Sequence, residues 1–328
     1  MAHEGWKVIT DEKKITKRLL LRNGTHLSIS GDSPFARGPL SDAVGLDGEG
    51  EGVDEMLQGT FDTDKAGMNG AAASSEMRSF LKALQIPISV KTGAPVPTMK
   101  TEMTVEDSCN IFCKIKESTA SSPSGIHYGH YIAACESPEL AAVNTIFMVT
   151  PFKAGKPLTR WTNSLHRMIQ KLRLAYVTKL RIVQLYEADF NTMLKFLLGF
   201  SLMKHSEHHG INGHQLYGSR KGKCPYDALI TVRVIYDMAR LQRDYIISLF
   251  NDLKGVYDRV RPNLNTITTR RIGLTKTEAL CHATALRKMR HFLRTGFGVS
   301  LEFLLWNLFN NPGGLGQGNG GGLLASIV

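Results

Sequence analysis

The stretch Leu249-Phe250-Asn251-Asp252-Leu253-Lys254-Gly255-Val256-Tyr257-Asp258-Arg259-Val260 governs how the rest of the chain is read. An apolar, partly β-branched run from Tyr245 to Phe250 leads into the carboxylate of Asp252, and Tyr257 follows five positions later with Asp258 beside it. A strand that delivers an aspartate where the chain turns into a helix presents a hard oxygen ligand to Mg2+. The aromatic one turn beyond is placed to floor a nucleotide pocket. The same pattern also suits a strand–turn–helix in which Asp252 is an N-cap and Tyr257 is core, so the flanking sequence has to separate the two readings.

Working outward, charge is distributed unevenly. Of 40 Lys/Arg and 29 Asp/Glu in 328 residues, the block 151–300 holds 26 basic and 9 acidic residues, a net of +17, and the remainder is net negative at −6. Such a block points to a polyanion, nucleic acid first, with a solvated basic surface as the plainer alternative. Apolar content of 42% and 8% aromatics allow a sizeable core. No apolar run reaches the ~20 residues of a membrane span, and Met1 to Lys7 lacks a signal-peptide layout. The expectation is a soluble, intracellular protein, cytosolic or nuclear. Five cysteines without framework spacing (Cys109, Cys113, Cys135, Cys224, Cys281) are expected as reduced, mostly buried thiols.

Taken in order, residues 1–75 are Gly-rich and charge-blocked, as in Gly45 to Gly52, and are expected to be loosely attached. Met77, Phe80, Leu81 and Leu84 space an amphipathic helix over 76–87, and Thr104 with Asp107 opens a second through Ile115. Cys109/Cys113 with His127/His130 approaches a zinc spacing, but the histidine gap is short and no hairpin separates the pairs, so buried thiols and loop histidines are favoured. Phe147 to Phe152 is expected as a strand, Trp161 to Leu172 as a helix, and Lys179 to Leu185 as a strand with its cations on one face. Glu187 opens a long helix through Leu202, its acids at the positive end. The His-rich Lys204 to His214 is expected as a polar loop and Gln215 to Lys223 as a basic turn. A helix from Pro225 to Leu241 carries an apolar stripe (Leu229, Val232, Tyr236, Ala239). A further helix is expected over Lys276 to Thr295 and a hairpin from Val299 onward.

Arg181 with its Ile/Val neighbours, Gln215-Leu216-Tyr217-Gly218, Asp252…Tyr257-Asp258-Arg259-Val260 and Gly316-Gln317-Gly318 occur in the order used by reverse transcriptases. The chain resembles the non-LTR retrotransposon type over about residues 106–328. Ser121 to His130 and Pro151 to Trp161 resemble the upstream region of such polymerases in protist retroelements.

The resemblance implies an α+β, helix-rich, incomplete right-hand polymerase: a poorly ordered segment over 1–105, fingers over 106–200 and a partial palm over 201–328. It implies that Asp252 ligates Mg2+ and that Lys179 and Arg181 hold the triphosphate. Tyr257 would lie under the sugar and select deoxynucleotides. Gln317, Gln215, Tyr217, Gly218, Gly316 and Gly318 would flank nucleotide and template. RNA template, RNA/DNA hybrid or single strand and deoxynucleotides are the implied partners. The family's aromatic-x-Asp-Asp hairpin would fall beyond Gln317, and the sequence contains no Asp-Asp pair. One carboxylate cannot organise the two divalent cations of nucleotidyl transfer, and Asp258 lies too far along the outgoing segment to replace the missing pair. The expectation is therefore a truncated, inactive reverse-transcriptase domain. The rival expectation is a non-catalytic nucleic-acid-binding protein using the block 151–300. A phosphate loop at Gly316 to Gly320 is disfavoured because no Gly-Lys-Ser/Thr is present.

Overall fold

Aromatic side chains between Phe112 and Phe190 supply the centre around which the fold closes. The computed structural model describes residues 39–45, 48–62, 75–120, 124–170, 180–213, 216–217, 220, 222–245, 262–295 and 298–305. Within them the chain is α+β: helices α1 (Pro39–Val44), α2 (Gly52–Gln58), α3 (Ser75–Leu84), α4 (Val105–Phe112), α5 (Tyr128–Ala134) and α6 (Pro138–Lys153) precede strands β1 (Asn163–Gln170) and β2 (Leu180–Leu185). Helix α7 (Ala188–Leu194) continues as a π-helix over Lys195–Leu202 and then as α8 (Met203–His208). After α9 (Pro225–Gln242), α10 (Pro262–Arg271) and α11 (Lys276–Arg287) come the strands β3 (Arg290–Thr295), β4 (Gly298–Val299) and β5 (Leu304–Leu305).

Local chemistry sets several starts. The Thr104 hydroxyl accepts the Asp107 N–H at 3.0 Å while the Asp107 carboxylate accepts the Thr104 N–H at 3.1 Å, the reciprocal box that the sequence announced. Ser137 caps α6 with Pro138 at its first turn, where the missing N–H costs nothing. Thr275 and Glu278 repeat the box at α11.

The sheet runs β2-β1-β3-β4, with β5 also pairing β3. β1 and β2 are antiparallel with Leu165 opposite Leu185. β1 and β3 are parallel from Asn163 opposite Arg290 to Arg167 opposite Arg294. Trp161 is fully buried on a 3₁₀ turn (Thr159–Thr162), stacks 5.1 Å from Phe190 and meets the Phe152 ring tilted at 5.7 Å. Leu194, Leu197, Leu198 and Leu202 from the α7 run and Leu286 from α11 complete this core.

A second core joins Val44, Val53, Met56, Leu57 and Phe61 to Leu81, Leu84 and Ile267 of α10. Residues 39–45 and 48–62, expected to be loosely attached, are thus folded onto the body, and Gly48 shows why glycine was mistaken for looseness. It sits at φ +74°, and a Cβ there would lie 2.4 Å from the Asn263 carbonyl oxygen. The glycines permit close approach.

Four element assignments are corrected. Phe147 to Phe152 belongs to α6, which buries Met148 and Phe152 one turn apart and exposes Phe147; its apolar run had no period to distinguish it from a strand. Of the helix expected over Trp161 to Leu172, residues Asn163 to Gln170 form strand β1, which gains pairing on both edges, and residues 171–172 lie outside the described residues. The segment Lys276 to Thr295 splits, its last residues forming β3 against a strand more than a hundred residues away. Met203 to His208 is helical, anchored by buried Met203 and Ser206, so the His-rich stretch begins as helix and not as loop.

Candidate functional site

Most residues that the sequence nominated lie outside the described residues: Asp252, Tyr257, Lys179, Gln215, Gly218, Gly316, Gln317 and Gly318. The backbone of Arg181 lies in β2, as expected, opposite Ile169 of β1. Tyr217 is half-buried; its hydroxyl lies 2.9 Å from the Thr231 hydroxyl of α9, and the Lys223 ammonium sits 5.7 Å over its ring. It ties the basic turn to α9. Among the described residues no group of three His, Cys, Asp or Glu side chains is arranged to hold a metal, and no helix is long and apolar enough to cross a membrane. His127 and His130 serve α5 instead, the Nδ1 of His130 accepting the His127 N–H at 3.1 Å.

One arginine cluster does emerge from strand register. Arg167 pairs directly with Arg294, and Val183, opposite Arg167, is two residues from position 181. Positions 167, 181, 290 and 294 therefore share one face of the sheet. Arg167 and Arg294 are exposed, and among the described residues neither has an ion-pair partner. Arg290, half-buried, lies over the Phe303 ring at 5.6 Å. Like charges directly opposite across a strand pair repel, so this face favours a counter-anion.

A second cluster lies at the start of α7. Arg160 on the 3₁₀ turn donates from Nη1 to Asp189 Oδ1 at 2.9 Å and from Nη2 to Asp189 Oδ2. Trp161 Nε1 donates to the same carboxylate at 2.9 Å, as does the Phe190 N–H. Glu187 stands 3.7 Å from Arg160 and accepts from the Ser124 hydroxyl at 2.6 Å and the Ser124 N–H at 3.3 Å. Burial pushes the Asp189 carboxyl above the ordinary carboxylate range, against the pull of Arg160 and Trp161. For Arg160 burial is the largest single influence and lowers the pKa, but the charges of and hydrogen bonds to Asp189 and Tyr131 together outweigh it and hold the guanidinium above its ordinary value. Tyr131, whose hydroxyl accepts from Arg160 at 3.4 Å, is pushed up to about 12 by burial and by the Asp189 charge. Above this network opens a cavity of about 660 Å³ between α5, α6 and the 3₁₀ turn. Ile126, Ala134, Leu140, Phe147 and Leu158 form its apolar walls, and His130, Asn144 and Thr159 its polar edge.

The sequence reading assigned the acids of Glu187 and Asp189 to the helix dipole and missed their partner. The available signal was Arg160-Trp161, a cation and an indole N–H side by side with two carboxylates downstream. It also missed the β1/β3 seam, where the Ser164 hydroxyl and His166 Nε2 each lie 2.8 Å from His291 Nδ1. Burial lowers His166 to about 4; burial and then the neighbouring His166 lower His291 to about 3. Their signal was alternation, Ser164-x-His166, in a segment read at helical period. Cys135, beside Cys109 and Cys113, is pushed up to about 12 by burial and by those two thiols, and the five cysteines are free, with Cys281 buried and Cys113 exposed.

No protein-family model matches the chain, and no curated protein matches it.

Proposed function

We propose that this chain is a reverse-transcriptase-like domain that holds nucleic-acid phosphate backbones against the arginine-bearing face of its sheet. The observation that carries the reading is the register that sets Arg167 beside Arg294, with position 181 on the same face and no carboxylate among the described residues to neutralise the pair. A guanidinium pair on adjacent strands suits phosphate groups, which accept two parallel N–H bonds from each fork. The order of motifs around Asp252 and Tyr257 supplies the polymerase part of the reading: Asp252 would hold Mg2+ and Tyr257 would lie under a deoxyribose. With no Asp-Asp pair in the 328 residues, the chain binds without extending a primer.

The test is a salt titration of binding to a single strand and to an RNA/DNA hybrid, followed by primer extension with Mg2+ and deoxynucleotides. Affinity falls with salt, and the R167A/R294A variant flattens the log–log slope by about 1.4 on single strands, two phosphates at about 0.7 each. An unchanged slope overturns the arginine-face assignment, and robust extension overturns the prediction of inactivity.

The rival reading, a nucleic-acid-binding protein without polymerase ancestry, draws on the +17 charge of residues 151–300 alone. The two separate on Asp252→Asn: loss of Mg2+-dependent deoxynucleotide binding supports the first, while the rival expects no such binding in either protein.

A further inference from the structure

We propose that the cavity over the Arg160–Asp189 network binds a small, uncharged ligand with an apolar body and one hydrogen-bonding edge. The site stands independently of the sheet face and of the polymerase reading. Its volume, about 660 Å³, lies within the range of about 300–1,000 Å³ that small-molecule sites occupy. Its walls come from three elements that other contacts already fix. Tyr131 of α5 is stacked 4.9 Å from Phe112, α6 buries Met148 and Phe152 in the main core, and Arg160 of the 3₁₀ turn is held by Asp189. The pocket is therefore preformed, which lowers the cost of binding.

Charge selects the ligand. The base holds one cation, Arg160, against two carboxylates, Glu187 and Asp189. Both Asp189 oxygens are already occupied by N–H donors from Arg160, Trp161 and Phe190, so a ligand cation finds no free carboxylate oxygen there. An anion meets a base of net negative charge. An uncharged ligand meets neither obstacle. Leu140 and Phe147 on α6, 55% and 57% exposed, flank the mouth with apolar surface that only a guest would cover. The half-buried amide of Asn144, which makes no hydrogen bond among the described residues, and the exposed ring of His130 lie along one side and offer both donors and acceptors.

The experiment titrates the full chain with Nile red, an uncharged dye, and with the anion 8-anilinonaphthalene-1-sulfonate. Nile red saturates one site, and the sulfonate does not displace it. Ala134→Trp, which fills the cavity, and Phe147→Asp, which charges its mouth, each weaken Nile red by about tenfold or more. Phe147 is exposed enough that its replacement leaves the melting transition in place, so this variant decides the matter if Ala134→Trp fails to fold. Leu229→Asp with Leu241→Asp, on the exposed apolar helix α9, leaves the dye affinity unchanged. Binding that survives both cavity variants, disappears with the α9 pair, yields to the sulfonate or is never seen overturns the proposal.

Discussion

At the scale of single residues, the interior holds polar groups whose protonation decides stability. Asp189 is buried with four N–H donors aimed at it. Asp189→Asn keeps the shape but turns an N–H₂ toward donors and strips Arg160 of its counter-ion. The expected loss is about 3–5 kcal/mol, read as a drop in the urea midpoint at unchanged slope. His166, His282 and His291 act through pH. Burial lowers them to about 4, about 4 and about 3, from an ordinary value near 6.5. They are neutral in the fold, and the unfolded chain takes up their protons first. Their contribution is complete above pH 6.5 and is lost as pH falls toward 4. Glu49, whose carboxyl burial raises, acts in the opposite sense, since its protonation favours the folded state. The predicted outcome is a falling urea midpoint between pH 7 and pH 5. The slope should be shallower in His166→Gln, whatever that variant does to stability at pH 7. A midpoint that rises toward pH 5 would contradict it.

At the scale of elements, α9 is the anomaly. Its 18 residues include no buried one, although Leu229, Ile230, Val234, Ile235, Met238 and Leu241 are all 47–84% exposed. Leu229→Asp with Leu241→Asp should change melting by no more than about 0.5 kcal/mol per site and should raise solubility. A large loss of stability would mean that the helix is packed in solution.

The same helix marks what was legible in sequence. The basic turn and Pro225 mark where it begins, and the spacing of Leu229, Val232, Tyr236 and Ala239 marks its type. Helices α3 and α4 and strand β2 were legible for like reasons, since caps and short-range periods act within a few residues. The failures at Trp161 and at Arg290 share a different cause. β1 and β3 pair with each other across more than a hundred residues, and a reading at helical period could not see that long-range partner. Of the nominated site, Arg181 falls on the strand expected of it, whereas the Arg160–Asp189 network joins turn to helix start and had to be seen in three dimensions.

At the scale of the whole molecule, residues 39–45 and 48–62 and helix α10 behave as one unit. Arg270 bonds Glu49 at 2.9 Å and Asp54 at 2.5 Å, and Lys276 stands 3.6 Å from both. The two carboxylates diverge: burial raises Glu49, while the hydrogen bond from Arg270 lowers the better-exposed Asp54. Beneath them Val53, Met56 and Ile267 are almost fully buried. Apolar contact therefore does most of the holding, and the ions set the register. High salt alone should leave residues 48–62 protected from proteolysis. Met56→Ala should expose them and cost about 2–5 kcal/mol, and protection lost in salt with Met56 intact would reverse that ranking.

The parallel seam between β1 and β3 also has a consequence for the newborn chain. On the ribosome the N-terminal half emerges first, and the hairpin of β1 and β2 must wait for Arg290 to Thr295 before its open edge is covered. At about 5–20 residues per second, the stretch from Leu185 to Thr295 takes on the order of 5–22 s. Throughout this delay, Leu165 and His166 lack their final neighbours. A chaperone that shields strand edges should raise the yield of this protein more than one that binds exposed helices.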